Sequence, residues 1–177
     1  MMRIGKTIFN FVVVGLLVIG LTSPSLAKNK FEKEVEKEQD AVKLVREIQR
    51  GGYDVITAKE LKDMIDSGKD VLIIDTMPYD ASYKKAHIPG AEQFLFPIPE
   101  MKKWNTMETG GKTEDDFKAL LGPDKNKTIV IYCGFVKCGR SHNGAMWTVK
   151  LGYKNVLRFS GGIFAWKGAK YPIEKAK

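Results

Sequence analysis

The only two cysteines of this chain, Cys133 and Cys138, lie in the stretch TIVIYCGFVKCGRSHNG at residues 128–144. A cysteine thiolate is a strong nucleophile and takes part in sulfur exchange. Two cysteines are too few for a disulfide scaffold, and without clustered histidines they cannot supply the four ligands of a structural zinc. The pattern therefore predicts nucleophilic sulfur chemistry that needs no metal and no organic cofactor.

The elements around these cysteines predict which thiol is the nucleophile. Thr128–Tyr132 is a short run of β-forming residues, and Cys133 follows it directly. A glycine-containing loop leads to a helix that is expected to begin near Ser141. A helix N-terminus carries unpaired N–H groups and a partial positive charge, to which Lys137 and Arg140 add full charges. We therefore expect a lowered pKa and the nucleophilic role at Cys133, with Cys138 in the middle of the loop.

The strand, Cys133 directly after it, and Arg140-Ser141 at the end of the loop resemble the active-site loop of the rhodanese family. Members of that family are sulfurtransferases that carry sulfur as a cysteine persulfide. The loop here is two residues longer than the usual family loop and contains the additional Cys138. The resemblance implies that Cys133 carries the sulfur, and it leaves open whether Cys138 is a resolving cysteine or a bystander.

Two further motifs resemble the same family in the same order. Tyr83 and the block HIPGA at residues 87–91 precede the cysteine loop, and Gly161-Gly162 with Trp166 follow it. The resemblance extends from about residue 53 to 173, and it implies structural roles for His87 and Trp166. It also implies further residues that bind substrate or stabilise the loop, namely Gly134, Phe135, Val136, Lys137, Gly139, Arg140, Ser141 and His142.

The expected fold is α/β, a single rhodanese-like domain with a mostly parallel central sheet flanked by helices, because helical patterns alternate with short apolar strands. Asp75 ends one of these strands and is expected to bind loop N–H groups as a structural residue. Strands are expected over 53–56, 71–75, 92–96, 128–132 and 155–159, and helices over 28–50, 57–67, 80–86, 97–103 and 113–121, with others after Ser141 and Gly162.

The N-terminal residues predict export. Residues 1–27 combine Arg3 and Lys6, an apolar run over 8–21, and small residues at Ser25 and Ala27, which is typical of a signal peptide cleaved after Ala27. Residues 28–52 are then a charged helical leader, expected to be solvated and without chemistry, and residues 53–177 form the domain. Cleavage leaves no stable membrane anchor, and the expected location is periplasmic or extracellular.

Charge bears on the expected partners. Removal of the signal peptide takes away two basic residues, Arg3 and Lys6. The mature chain then has 27 basic residues rather than 29, against 21 acidic ones, a net charge of +6. A modest positive field favours a small anionic sulfur donor such as thiosulfate or polysulfide, with cyanide, a thiol or a thioredoxin-like protein as acceptor. The lysines alternate with glutamates and no nucleic-acid motif is present, so nucleic acid is not an expected partner.

Three other functions fit parts of the sequence. The Cys133/Cys138 pair suits a thiol–disulfide redox protein, because neighbouring thiols can form a disulfide in an oxidising compartment. A phosphatase of the same fold is a second alternative, since the long cysteine-to-arginine loop leaves room for a larger oxyanion. A binding module without catalysis is the third, although the intact Cys133 and Arg140 argue against it.

Overall fold

The structure is a computed structural model that describes residues 28–176, so the predicted signal peptide lies outside the described residues. It contains a five-stranded, all-parallel sheet in the order β1-β5-β4-β2-β3. The strands are β1 (Asp54–Ile56), β2 (Val71–Asp75), β3 (Glu92–Gln93), β4 (Thr128–Tyr132) and β5 (Asn155–Phe159). The expected α/β fold with a parallel central sheet is confirmed, and the strand that precedes Cys133 is its middle strand.

Five α-helices connect or flank these strands within residues 28–176, and a single π-helical turn spans Tyr79–Tyr83. Capping explains several of the boundaries: Thr57 and Thr113 each begin a helix with a reciprocal capping box. The helices are α1 (Lys30–Gly51), α2 (Ala58–Asp66), α3 (Glu114–Leu121), α4 (Arg140–Lys150) and α5 (Gly162–Gly168).

Strand β4 separates two hydrophobic clusters through the alternation of its side chains. Ile129 and Ile131 pack into the cluster that contains residues of α3 and α4, and Val130 and Tyr132 pack into the cluster that contains residues of α2 and α5. All four side chains are fully buried, as expected for a central strand of a parallel sheet covered on both faces. The strand therefore delivers Cys133 to a fixed place at the carboxyl edge of the sheet.

Helix α1 is less exposed to solvent than its charge pattern predicted. Its N-terminal half is mostly exposed, and Asn29 caps it with a capping box. Its C-terminal half packs against α4, and Glu47 there is 4% exposed. A carboxylate is seldom buried unless it is paired, so α1 contributes an ionic interaction to the interior rather than only solubility.

The predicted helix over residues 97–103 is wrong. The segment is irregular, and it contains Pro97 and Pro99, which disfavour the helical conformation of the residues before them. The side-chain amide of Asn143 donates to the carbonyl oxygens of Pro97 at 2.8 Å and Pro99 at 2.7 Å, and its Oδ1 accepts from Met101 N–H at 2.8 Å. These bonds wrap the segment around the first turn of α4.

Helix α5 closes over the loop that follows β4. Its Ile163 N–H donates to the carbonyl oxygen of Cys133 at 2.9 Å, and Phe164 N–H donates to that of Gly134 at 3.0 Å. Gly162 has a φ of +59°, and a Cβ atom there would lie 2.2 Å from the Cys133 oxygen. Only glycine permits this approach, which explains the Gly161-Gly162 pair noted in the sequence.

Within residues 28–176, no helix is both long enough and apolar enough to cross a membrane.

Candidate active site

Both cysteines lie in the loop between β4 and α4, and both are free thiols. Cys133 is fully buried at the end of β4, whereas Cys138 is partly exposed two residues before Arg140, the first residue of α4. The two residues are close neighbours: the Cys133 Sγ lies 3.5 Å from the carbonyl oxygen of Cys138, and Cys138 packs against the hydrophobic cluster that contains Cys133. The structure therefore brings together the two thiols that the sequence placed in one loop.

Hydrogen-bond acceptors surround the Cys133 thiol. Its Sγ lies 3.5 Å from the carbonyl oxygen of Cys138 and 3.9 Å from that of Phe135. The Ser141 Oγ also lies 3.1 Å from this sulfur, and the contacts of Ser141 lower the pKa of the Cys133 thiol. Burial nevertheless dominates, and with the neighbouring Cys138 it raises the pKa of Cys133 well above the ordinary value.

Cys138 has the opposite surroundings. The hydrogen bond from the Cys133 thiol is the largest influence on it and lowers its pKa, partial burial opposes this, and the N–H groups of Arg140 and Gly134 lower it further. The nearby charge of Arg140 acts in the same direction, and the resulting pKa of Cys138 is about 6. These surroundings favour the thiolate form at Cys138 over the thiolate form at Cys133.

The expectation of a lowered pKa at Cys133 is wrong. The helix end and its charge do stabilise a thiolate, but the loop carries Cys138 to the N–H groups of Arg140 and Gly134 and leaves Cys133 beneath it. Burial is the main physical reason, because Cys133 is 0% exposed and the loss of solvent disfavours its thiolate. The assignment of the persulfide to Cys133 stays a prediction.

A fully buried arginine on the neighbouring strand holds the loop in this shape. Arg158 of β5 donates through Nη2 to the carbonyl oxygens of Cys138 at 3.0 Å and Val136 at 3.4 Å. Its Nε donates to the Oγ of Ser141 at 2.9 Å. Sequence analysis missed Arg158, although a charged residue within an apolar strand next to the central strand is a recognisable signal.

The charge of Arg158 is balanced from α1. Its Nη1 forms a short ion pair with the carboxylate of Glu47 and donates to the hydroxyl of Tyr53 at 3.1 Å. Lys43 approaches the same carboxylate at 3.7 Å and also donates to the carbonyl oxygen of Lys137 at 2.8 Å. Helix α1 thus supports the cysteine loop in two ways. Glu47 pairs with Arg158, which binds the loop, and Lys43 binds a loop carbonyl oxygen directly.

His142 lies behind the loop and does not face solvent. It is 2% exposed, and its Nδ1 lies 2.8 Å from the Tyr53 hydroxyl. Because that hydroxyl also accepts a hydrogen bond from Arg158, it donates to Nδ1 and leaves the proton of the neutral imidazole on Nε2. Burial lowers the pKa of His142, and Nε2 has Glu100 as a distant neighbour at 3.9 Å. The histidine is therefore placed to support the loop rather than to contact substrate.

The remaining predicted loop residues fall into two groups. Phe135, Val136 and Lys137 lie on the outer side, where Phe135 is 44% exposed and its ring packs against Phe164 of α5. Lys137 pairs with Asp40 of α1 at 3.5 Å. Gly134, Gly139 and Ser141 are buried, and a Cβ atom on Gly139 would lie 2.2 Å from the carbonyl oxygen of Ile98. The Arg140 guanidinium donates to the carbonyl oxygen of Phe96 and anchors the loop end.

Three residues interpreted as structural have structural contacts. Asp75 accepts the N–H of Met77 at 2.8 Å, and burial raises its pKa to about 6. His87 stacks on the Tyr83 ring, and its main chain exchanges two hydrogen bonds with Glu174 near the C-terminus. Trp166 is 1% exposed within the α2–α5 cluster. These interpretations are confirmed.

No group of three or more His, Cys, Asp or Glu residues in the part of the chain that the structure describes could hold a metal ion.

Comparisons with known proteins identify the family. The profile of the Rhodanese-like domain family matches residues 57–169, which is more than half of the chain. Rhodanese-like domain-containing protein 17 of Arabidopsis thaliana is 24% identical over 119 residues, covering 67% of this chain and 71% of that protein.

Two solved structures are similar in fold. The BH2092 protein of Bacillus halodurans has a TM-score of 0.55 at 20% identity, covering 80% of this chain and 86% of its own. A thiosulfate sulfurtransferase of Pseudomonas aeruginosa has a TM-score of 0.56 at 21% identity, covering 78% of this chain but only 23% of its own. At these identities the two structures support the fold alone.

Alkylation kinetics test the unequal acidity of the thiols. We expect iodoacetamide to label Cys138 with a rate that rises through a midpoint of about pH 6, because the thiolate is the reactive form. Trypsin separates the thiols at Lys137, so the peptide 128–137 reports Cys133 alone and should stay unlabelled in the folded protein. Cys133→Ala is the control, because loss of its thiol donor should raise the Cys138 midpoint. Faster labelling of peptide 128–137 would contradict the assignment.

The contribution of α1 is testable at Glu47. Glu47→Gln removes the charge that balances the buried Arg158, and such a loss costs about 3 kcal/mol or more in free energy of unfolding. Glu34→Gln on the same helix removes an exposed pair with Lys37 and should cause no measurable change. Urea unfolding compares the two variants. Equal stability of both would show that α1 does not brace the loop.

Proposed function

Because the chain belongs to the Rhodanese-like domain family, we propose that it is an exported sulfurtransferase that carries sulfane sulfur as a persulfide in its two-cysteine loop. Both Cys133 and Cys138 take part. The single observation that supports this most strongly is the placement of two free thiols in the loop between β4 and α4, where the N–H groups of Arg140 and Gly134 lower the pKa of Cys138. A sulfur anion in such a site is stabilised without a metal or an organic cofactor.

The surroundings of the loop suit a small anionic donor. Arg140 places a positive charge beside Cys138, and Lys43 and Lys137 lie at the outer side of the loop. The Lys137 charge is partly offset by Asp40, so the attraction is modest. Thiosulfate or polysulfide is therefore the proposed donor, and cyanide or a thiol, including that of a thioredoxin-like protein, is the proposed acceptor.

Thiol–disulfide exchange is a second candidate function, because one observation favours it. The two cysteines are neighbours in one loop and both are free, which is the arrangement of a dithiol that can cycle to a disulfide. Phosphate-ester hydrolysis has less support, because it needs an acid for the leaving group. The α1 carboxylates that face this region, Asp40 and Glu47, are engaged with Lys137 and Arg158.

Intact mass spectrometry tests the sulfurtransferase proposal. After incubation with thiosulfate or polysulfide and removal of the donor, wild-type protein should gain one sulfur atom and then lose it to cyanide as thiocyanate. The double variant Cys133→Ser/Cys138→Ser is the control and should do neither. Wild-type protein that neither gains sulfur nor forms thiocyanate would overturn the proposal.

The proposal of export rests on the sequence of residues 1–27. Cleavage after Ala27 would leave the Asn29 cap of α1 intact, so the fold would keep every element described above. N-terminal sequencing of protein secreted by an expressing bacterium should therefore begin at Lys28. Protein that retains Met1 and stays inside the cell would contradict export without affecting the proposed chemistry.

A further inference from the structure

We infer that Cys138 makes the first attack on the sulfur donor and that Cys133 is the second thiol, which releases the sulfur. This order reverses the one that the family resemblance implies. It rests on the proposed sulfurtransferase function and adds the role of each cysteine. The inference depends on hydrogen-bond polarity, on access and on the proximity of the two cysteines.

Hydrogen-bond polarity distinguishes the two sites. A thiolate can only accept hydrogen bonds, whereas a thiol donates one. Carbonyl oxygens of Phe135 and Cys138 face the Cys133 sulfur, so this position accommodates a thiol even though Ser141 also contacts the sulfur and lowers its pKa. Main-chain N–H groups of Arg140 and Gly134 stabilise the Cys138 sulfur, so that position suits a thiolate and equally the terminal sulfur anion of a persulfide.

Access leads to the same order. Cys133 is 0% exposed and belongs to the α2–α5 cluster, beneath the loop. The hydrogen bonds from Ile163 and Phe164 of α5 hold the main chain at Cys133 and Gly134 in place. A donor with several heavy atoms therefore meets the partly exposed Cys138 first, and it reaches Cys133 only if the loop opens.

The first step is a displacement at sulfur. The Cys138 thiolate attacks the outer sulfur of thiosulfate, a new S–S bond forms on Cys138, and the S–S bond of thiosulfate breaks. Sulfite leaves with the bonding electron pair. The product is an ionised Cys138 persulfide, whose charge remains near the N–H groups that held the original thiolate.

The second step uses the neighbouring thiol. The Cys133 sulfur attacks the inner sulfur of the Cys138 persulfide, a Cys133–Cys138 disulfide forms, and the outer sulfur leaves with the electron pair. The proton of the Cys133 thiol accompanies it, so that the product is hydrosulfide. The two cysteine sulfurs are oxidised and the transferred sulfur is reduced, and an external dithiol restores both thiols.

The proximity of the two cysteines favours this second step. The Cys133 Sγ lies 3.5 Å from the carbonyl oxygen of Cys138, whose side chain packs against the cluster that contains Cys133. Its raised pKa keeps it protonated while the donor is being attacked, so the two thiols do not compete for the first step. An acceptor such as cyanide needs only the exposed outer sulfur of Cys138 and bypasses Cys133.

Single-cysteine variants test the order. Cys133→Ser should still gain one sulfur from thiosulfate and transfer it to cyanide, but it should release sulfide to dithiothreitol roughly tenfold more slowly than wild-type protein or worse. Cys138→Ser should gain sulfur roughly tenfold more slowly or worse, because its remaining thiol is protonated and buried. Wild-type protein should pass through a form that has lost two hydrogens.

The outcomes separate this inference from the function on which it rests. Fast loading of Cys138→Ser with slow loading of Cys133→Ser, or equal loading of both, would overturn the order and leave the sulfurtransferase intact. A wild-type protein that never gains sulfur would overturn both. Cys133→Ala serves as a second variant without a hydroxyl in the buried site. Because it lacks the thiol donor, its loading is measured at a pH above its raised Cys138 midpoint, and circular dichroism verifies that each variant is folded.

Discussion

A buried guanidinium group is the interaction on which the candidate site depends. Arg158 joins the carbonyl oxygens of the cysteine loop, the hydroxyl of Ser141 and the carboxylate of Glu47 into one network. An unpaired charge in that position would be costly, so α1, β5 and the loop must all be in place together. The network explains why a charged helix before the sheet belongs to the architecture of the site.

The loop geometry affects the acidity of the two thiols, because it places loop carbonyl oxygens and main-chain N–H groups near different sulfurs. Arg158 and α5 bind loop carbonyl oxygens, while N–H groups at the start of α4 are left to stabilise Cys138. Thiol acidity in proteins is set by such local contacts and by burial more than by position at a strand end. The two cysteines of one loop therefore differ in acidity, with a raised pKa at Cys133 and a lowered pKa at Cys138, which suits a two-step transfer.

Much of the fold could be predicted from the sequence. The strand bounds at 71–75, 128–132 and 155–159 and the helix that Thr57 begins follow from apolar runs and capping, which are local signals. The helix predicted over residues 97–103 was wrong because the interpretation ignored two prolines in the segment. Their carbonyl oxygens accept hydrogen bonds from Asn143, which is far away in the sequence, so no local pattern indicates this contact.

The candidate site was predictable only in part. Its loop and both cysteines are evident from residue types and spacing, whereas the partners of Arg158 come from three distant elements and leave no local pattern. In the sequence, Glu47 cannot be distinguished from the exposed charges of α1, and only the packing of α1 against α4 buries it. The acidity of Cys138 likewise depends on how an extended loop turns back over β4, which residue spacing does not specify.

Nuclear magnetic resonance of protein labelled with ¹³C at the cysteine Cβ atoms is the most direct test, since each shift reports the ionisation of its own thiol. Our account predicts that the Cys138 signal titrates with a midpoint of about 6, while the Cys133 signal stays at its thiol position well into the alkaline range. A Cys133 signal that titrates below that of Cys138 would contradict the division of roles between the two cysteines.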